Sequence, residues 1–551
     1  MAFEYNGTHY IEPQDLRVES LGFLPRLPLG ESSISSKLGR DFLGPDEIIA
    51  LLQVAVSRSV DYRTGLLDEL EKIISDGKSI PETIFRKNLS GIGRGHSLDG
   101  LPVVALGING TKMIDSAFTG MVYSRSLVTS GRRRETKTVE LVVPNSISAQ
   151  IELLDEYLKI THGLFQIFDE IKNKFANKVD AIQAFNKLKP YNDPADLFYV
   201  LPMSSLVNLA VAVDEERKNR TSYLPEECAI FINRMEEIAD DMGVGQIFRM
   251  RKSIPRETYL HYCVFKRPEA NYATGRHEEY GNPLSPEVVR IINDLSNSAI
   301  QEFRNLAQQF ATSQKFTDAA HLYALTSHNK ESLSNLCRRY NDALNIQTIS
   351  SLSWRVWSEQ KRHGTLAQQV ESIYSAAGRA YSIVRELWPQ IESNGNIDTI
   401  VDEAEKAFVI SDEMKTEPEL LKEYIHHTSR QIMFYGKLVE NNIPERDALY
   451  TVPRNIRVRT LESYDLINAI SLELPLRLCT ECEPERRLTS EIKAAQLKKR
   501  IPELAFLFEP KCNLGFCTEG KFCKNIMRFV PNYNMDIHKE IAGIVADAAR
   551  G

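Results

Sequence analysis

Two short segments half a chain apart carry the same pattern: Asp196-Leu-Phe-Tyr-Val-Leu-Pro202 and Asp447-Ala-Leu-Tyr-Thr-Val-Pro453. Each follows a long stretch of helical periodicity. A basic or polar cluster stands upstream of each, Arg132–Arg134 for one and Lys361-Arg362-His363 for the other. An internal repeat restricts a chain to architectures in which one unit is built twice. The length of 551 residues agrees, because a single hydrophobic core seldom organises so many.

Other function classes are disfavoured by composition. A formal net charge of -7 gives no global field that attracts a nucleic acid polymer. No run of about 20 apolar residues offers a membrane span. The segment Met1–Tyr10 has no apolar core of a secretory signal, so the expected compartment is the cytoplasm. That compartment is reducing, and the eight cysteines are not expected to be mostly disulfides.

Along the chain, residues 1–44 are rich in Pro, Gly and Ser and read as an irregular N-terminal arm. Ile48, Leu51, Leu52 and Val56 recur at helical spacing, and Leu66–Ile74 repeats it. The apolar run Leu101–Ile108, bounded by glycines, predicts a buried strand. A second β-branched run, Thr138–Val143, stops at Pro144; Asn145 and Ser146 then suit the start of a long amphipathic helix over Ile151–Phe175. The turn-rich stretch 267–286 reads as a linker. After it, Ser285-Pro286 is expected to cap a helix with Val288, Ile292, Leu295, Ala299, Phe303 and Leu306 on one face. The expected fold class is α+β: a first lobe over 45–266, a second over 287–500, and a Cys-bearing tail over 501–551.

The segment Lys361-Arg-His-Gly-Thr-Leu-Ala-Gln-Gln-Val-Glu-Ser-Ile-Tyr374 is the most informative chemically. It resembles the signature of the flavin-dependent thymidylate synthases, Arg-His-Arg followed after seven residues by Ser, with Arg362, His363 and Ser372 at matching places. Arg132-Arg-Arg-Glu-Thr-Lys-Thr-Val-Glu140 resembles the same signature in the first half, and Gly95-His96-Ser97 the segment before that family's flavin-binding strand. Asn442–Pro453, Leu476-Arg477-Leu478 and Ser490–Lys493 resemble later family segments, in family order.

The resemblance implies two related lobes, each mostly helical around a small mixed or antiparallel sheet. It also implies reductive methylation of dUMP to dTMP, with FAD as cofactor and methylenetetrahydrofolate and NADPH as co-substrates. Arg132, Arg134, Glu140, Arg362 and His363 would hold the cofactor, Ser372 the dUMP phosphate, and Arg477 would polarise the uracil. Arginine suits such ligands because its planar fork meets phosphate and carboxylate in pairs. A homodimer would reproduce the family's tetramer of single domains. Departures accompany the matches: Leu449 and Phe198 stand where the family has a dUMP-binding Arg, and Tyr374 and Pro144 at another Arg. These leave open a catalytically diverged scaffold that binds nucleotide or flavin. On residue types alone, Arg132–Arg134 and Arg362-His363 also suit a solvated face, and Arg477 also suits an internal ion pair with Glu473 or Glu491.

Five of the eight cysteines lie at or beyond Cys479. Cys479-x-x-Cys482 with the later Cys512 and Cys517 has the elements of a tetrahedral zinc site, and Cys523 follows close behind. Free buried thiols are the other reading.

Overall fold

The structure is a computed structural model. It describes residues 3–24, 26–29, 33–48, 71, 75, 103–118, 125–128, 140–175, 178–252, 264–266, 283–293, 295–313, 318–361, 366–517, 519 and 521–550. The chain forms two compact units, and each is discontinuous in sequence. One comprises Met1–Ala270 and Ser372–Ile456, the other Asn271–Glu371 and Arg457–Gly551. The break at Ala270 falls within the stretch read as a linker. Residues 287–500, read as one lobe, contribute to both units.

In the first unit the N-terminal arm is ordered into strands, contrary to the irregular arm expected. Strands β1 (Phe3–Tyr5) and β2 (Thr8–Ile11) form a hairpin, β3 spans Arg17–Leu24, and β4 (Leu27–Pro28) pairs with β5 (Phe42–Leu43). Asn6 and Gly7 take positive φ at the hairpin turn, which is why a polar, glycine-bearing segment makes strands here. Strand β6 (Val103–Thr111) buries Val104, Leu106 and Ile108 on one face, as its alternation requires. Strands β7 (Arg125–Val128), β8 (Glu140–Val142) and β9 (Pro194–Pro202) complete the set. The main sheet has the antiparallel order β3-β6-β9-β7, and β8 joins the hairpin in parallel beside β2.

The helical part of this unit contains one arrangement twice. A short helix, Asn145–Ser148, leads into the long Ile151–Lys174; likewise Asp412–Lys415 leads into Pro418–Glu440. In the first, the Tyr157 hydroxyl donates to the Val142 carbonyl (2.5 Å), Asn192 Nδ2 donates to Tyr157 Oη (2.7 Å), and Val142 N donates to the Asn192 carbonyl (3.1 Å). In the second, Tyr424 donates to the Val409 carbonyl (3.1 Å), Asn455 to Tyr424 (2.9 Å), and Val409 N to the Asn455 carbonyl (2.9 Å). Pro190 and Pro453, just before the two asparagines, face each other across an antiparallel bridge.

In the second unit, β10 (Glu287–Asn293), β11 (Leu344–Ser353), β12 (Ala367–Val370) and β13 (Arg457–Asp465) form an antiparallel sheet of order β10-β11-β13-β12. Counted along the chain, this is the order of the first unit's main sheet: first, second, fourth, third. The first strand of each sheet also carries a register shift, between Ser20 and Gly22 in one and Val288 and Arg290 in the other. The helix expected from residue 287 starts only at Asn297 and runs to Ser313. Val288 and Ile292, four apart, fit a helix face and one strand face equally well, and the β-branched content of Glu287–Asn293 decides for the strand. The echoing segments also fall on different elements: residues 196–202 lie in β9, whereas 447–453 lie in the turns that precede β13. The core of this unit packs Phe303, Leu333, Ile346, Tyr464, Leu466 and Leu497 against the sheet. The C-terminal tail joins it through Leu504, Leu507 and Phe508.

Candidate functional site

Strand β13 carries Glu462 and Tyr464 on its inward face, both fully enclosed. The chain then turns through the helices Leu466–Ile470 and Glu473–Arg477 and returns along Pro484–Arg500. This path brings Arg477, Arg486 and Lys493 to the two carboxylates Glu462 and Glu473. Lys493 Nζ donates to Glu462 Oε2 at 2.5 Å, Gln360 Nε2 to Glu462 Oε1 at 2.6 Å, and Arg486 Nη1 to Glu462 Oε1 at 3.3 Å. Tyr464 donates its hydroxyl to Glu462 as well. Arg486 Nη2 also lies 3.7 Å from Glu473 Oε1, and Arg477 Nε donates to that same oxygen at 2.7 Å.

Burial works against the charge on Glu462, but Lys493 and Arg486 outweigh it and hold the carboxyl below its ordinary range. Burial lowers the Lys493 ammonium to about 8, with Glu462 resisting the shift. The carboxylate is the group whose charged state the geometry fixes, since it accepts from Gln360, Arg486, Tyr464 and, at 3.5 Å, Thr348 besides Lys493.

The network holds three cations, Arg477, Arg486 and Lys493, against two carboxylates. Arg477 is its most accessible member, with 11% of the side chain exposed. Its Nη2 is nevertheless buried and has no hydrogen-bond partner among the described residues. A buried donor without a partner is costly, so the site has unused capacity for an acceptor.

The other expected residues are placed as follows. Arg132, Arg134, Arg362 and His363 lie outside the described residues. Glu140 opens β8, where its Cα pairs with that of His9. Ser372 is fully buried before the helix Ile373–Glu392, and its hydroxyl donates to the Lys266 carbonyl at 2.6 Å. Leu449 is fully buried, and Tyr374 donates its hydroxyl to the Tyr223 carbonyl. Cys479, Cys512, Cys517 and Cys523 line one small cavity; Cys482 is not among its lining residues.

Glu462, Arg486 and Lys493 were not singled out from sequence. The signal was available in the strand pattern: Val458, Thr460, Glu462 and Tyr464 share one face, and an acid on an apolar face needs cations nearby.

The fold and this site define an α+β protein with two antiparallel sheets of like order and an arginine-bearing ionic centre beside the second. No family model matches the chain. A flavin-dependent thymidylate synthase from Pyrococcus horikoshii is 31% identical to it over 124 residues, which is 21% of this chain and 50% of that protein. The chain therefore spans about half the length of the curated relative it matches. Among solved structures, the flavin-dependent thymidylate synthase ThyX from Helicobacter pylori complexed with FAD and dUMP matches at 17% identity and a TM-score of 0.27, covering 41% of this chain and 98% of that one. A second ThyX structure from the same organism, also with FAD and dUMP, gives 18% identity, a TM-score of 0.27 and coverages of 41% and 97%.

Proposed function

We propose that this chain is an FAD-dependent thymidylate synthase-like protein, built by duplication, that reductively methylates dUMP to dTMP with methylenetetrahydrofolate and NADPH. One observation carries the reading: Arg477 belongs to a buried centre with one cation in excess, and its Nη2 has no acceptor among the described residues. A pyrimidine carbonyl is an acceptor of the right kind. Its developing negative charge during ring activation is what a fixed guanidinium stabilises best. The 31% identity to the Pyrococcus horikoshii enzyme supports the same chemistry.

In this reading Glu473 orients the Arg477 guanidinium through its 2.7 Å bond to Nε and leaves the outer nitrogens for ligand. Arg132, Arg134, Arg362 and His363 suit the pyrophosphate of a dinucleotide, each offering a cationic or switchable donor. Bound flavin would supply the hydride chemistry. Duplication is supported by the shared strand order of the two main sheets and by the repeated Tyr–Asn–carbonyl clamps. On the family's pattern the duplicated chain assembles as a homodimer.

A second reading is a diverged scaffold that keeps ligand binding without turnover. It is favoured by Ser372, whose hydroxyl is already committed to Lys266, and by the buried Leu449 where the resemblance places an arginine. Titrating the purified protein with FAD and dUMP, and assaying dTMP formation, separates the two. Turnover supports the synthase, and binding without turnover supports the scaffold. Failure to bind either ligand removes both readings.

A further inference from the structure

Four cysteines from three chain segments converge in the second unit. Cys479 follows the Arg477 helix and is held in a turn by the Cys482 N–H donating to its carbonyl at 2.9 Å. Cys512 sits in the turn Lys511–Leu514, and Cys517 and Cys523 lie on the loop beyond it. All four line one cavity of about 10 Å³. Cys479 and Cys523 are near neighbours of both Cys512 and Cys517. A volume of that size admits a single small particle and excludes an organic ligand or a polynuclear cluster.

The surroundings are cationic. Lys330, half-buried on the helix Ala319–Tyr340, places its ammonium 3.9 Å from the centre of the Phe516 ring and is electrostatically coupled to Cys512 and Cys517. Among the described residues it makes no hydrogen bond or ion pair with a carboxylate. Lys511 is coupled to Cys479 and Cys517 and pairs with Glu519. The Glu519 backbone N–H donates to Cys517 Sγ at 3.4 Å. The loop is brought this close by Gly515, at φ +130°, where a Cβ would stand 2.1 Å from Thr326 Oγ1.

We propose that Cys479, Cys512, Cys517 and Cys523 bind one zinc ion as a tetrathiolate site, with Lys330 and Lys511 offsetting the net negative charge of the centre. Four soft sulfur ligands in tetrahedral array select zinc among the common divalent ions. This ligand set takes Cys523 in place of Cys482. Among the described residues no group of three or more His, Cys, Asp or Glu side chains is yet set to hold an ion. The proposal therefore requires the four sulfurs to draw together as the metal binds and the thiols lose their protons, as in sites where binding and local folding are one event. The proposal is independent of the nucleotide reading, because none of these groups belongs to the Arg477 centre.

Metal analysis of the full-length protein, purified without chelator and dialysed, should find one zinc per chain. Cobalt exchanged into the unsubstituted protein should give a sulfur-to-cobalt charge-transfer band in the near ultraviolet and the intense visible bands of tetrahedral cobalt. Cys512→Ser and Cys523→Ser should each weaken zinc retention by at least about tenfold, as loss of a first ligand exceeds the effect of an outer-shell change. Cys482→Ser should retain the full zinc content. Absence of zinc together with a featureless cobalt spectrum overturns the site, whatever the variants do. An intact mass two hydrogens low for each pair of these cysteines, showing disulfides, overturns it equally. Loss of zinc in Cys482→Ser to the same degree as in Cys523→Ser overturns the ligand assignment.

Discussion

Removing one member of a buried ion pair leaves the other charge enclosed and unanswered, which costs more than the pair itself contributes. Glu462 answers two enclosed cations at once. Glu462→Gln should therefore lower stability by about 3–5 kcal/mol, measured by chemical denaturation. A loss below about 1 kcal/mol would mean that Lys493 and Arg486 find other partners. Arg477→Lys should abolish dTMP formation, because the ammonium keeps the charge but loses the fork. Arg477→Ala should weaken dUMP binding by about 1.5–3 kcal/mol. If both variants bind dUMP normally and only melt earlier, Arg477 serves Glu473 and not a ligand. His427 gives a pH test. Burial first, then His426 and Arg430, lower it from 6.5 to about 4, and its Nδ1 is buried with no hydrogen-bond partner among the described residues. The folded protein thus keeps it neutral while the unfolded chain protonates near 6.5. Its contribution is fully present above pH 6.5 and is lost as pH falls toward 4. Melting temperatures of the parent and His427→Gln should converge across that window, the variant losing less on acidification.

At the scale of elements, the repeated clamps make the sharpest comparison. Tyr157→Phe takes the bonds of this hydroxyl from the Val142 carbonyl and the Asn192 amide, and Tyr424→Phe takes the matching bonds from Val409 and Asn455, although Asn455 Nδ2 keeps its bond to Thr428 Oγ1 at 3.0 Å. Each should cost about 1–3 kcal/mol in urea denaturation. A silent substitution at one tyrosine beside a costly one at the other would break the equivalence. Strand β6 and the helix from Ile151 were legible from sequence because each has one period and clear punctuation. Residues 287–293 were not, because Val288 and Ile292 satisfy both periods. The clamps were invisible for another reason: their members are scattered through the chain and joined only by folding. The echo at 196–202 and 447–453 pointed to repetition but matched non-equivalent elements, since Asp, Leu, Tyr and Pro recur in strands and turns alike.

For the whole molecule, the proposal of duplication and divergence makes a quantitative statement about binding. Two complete sites would take two dUMP per chain. The second half supplies the Arg477 centre, whereas the first half has no clear counterpart of Arg477 in sequence, and Phe198, where the sequence resemblance places an arginine, has its side chain exposed on β9. That ionic centre also uses five charged groups from β13 and the helices Glu473–Arg477 and Pro484–Arg500, a set too specific to be replaced by one arginine elsewhere. One dUMP per chain is therefore expected in isothermal titration of the flavin-loaded protein, and Arg477→Ala should weaken that single event without uncovering another. A stoichiometry of two would mean that the first half binds nucleotide by groups other than an Arg477 equivalent. A stoichiometry of one that survives Arg477→Ala unchanged would move the nucleotide site to the first half and leave the buried centre of the second as a device for holding β13 against its helices.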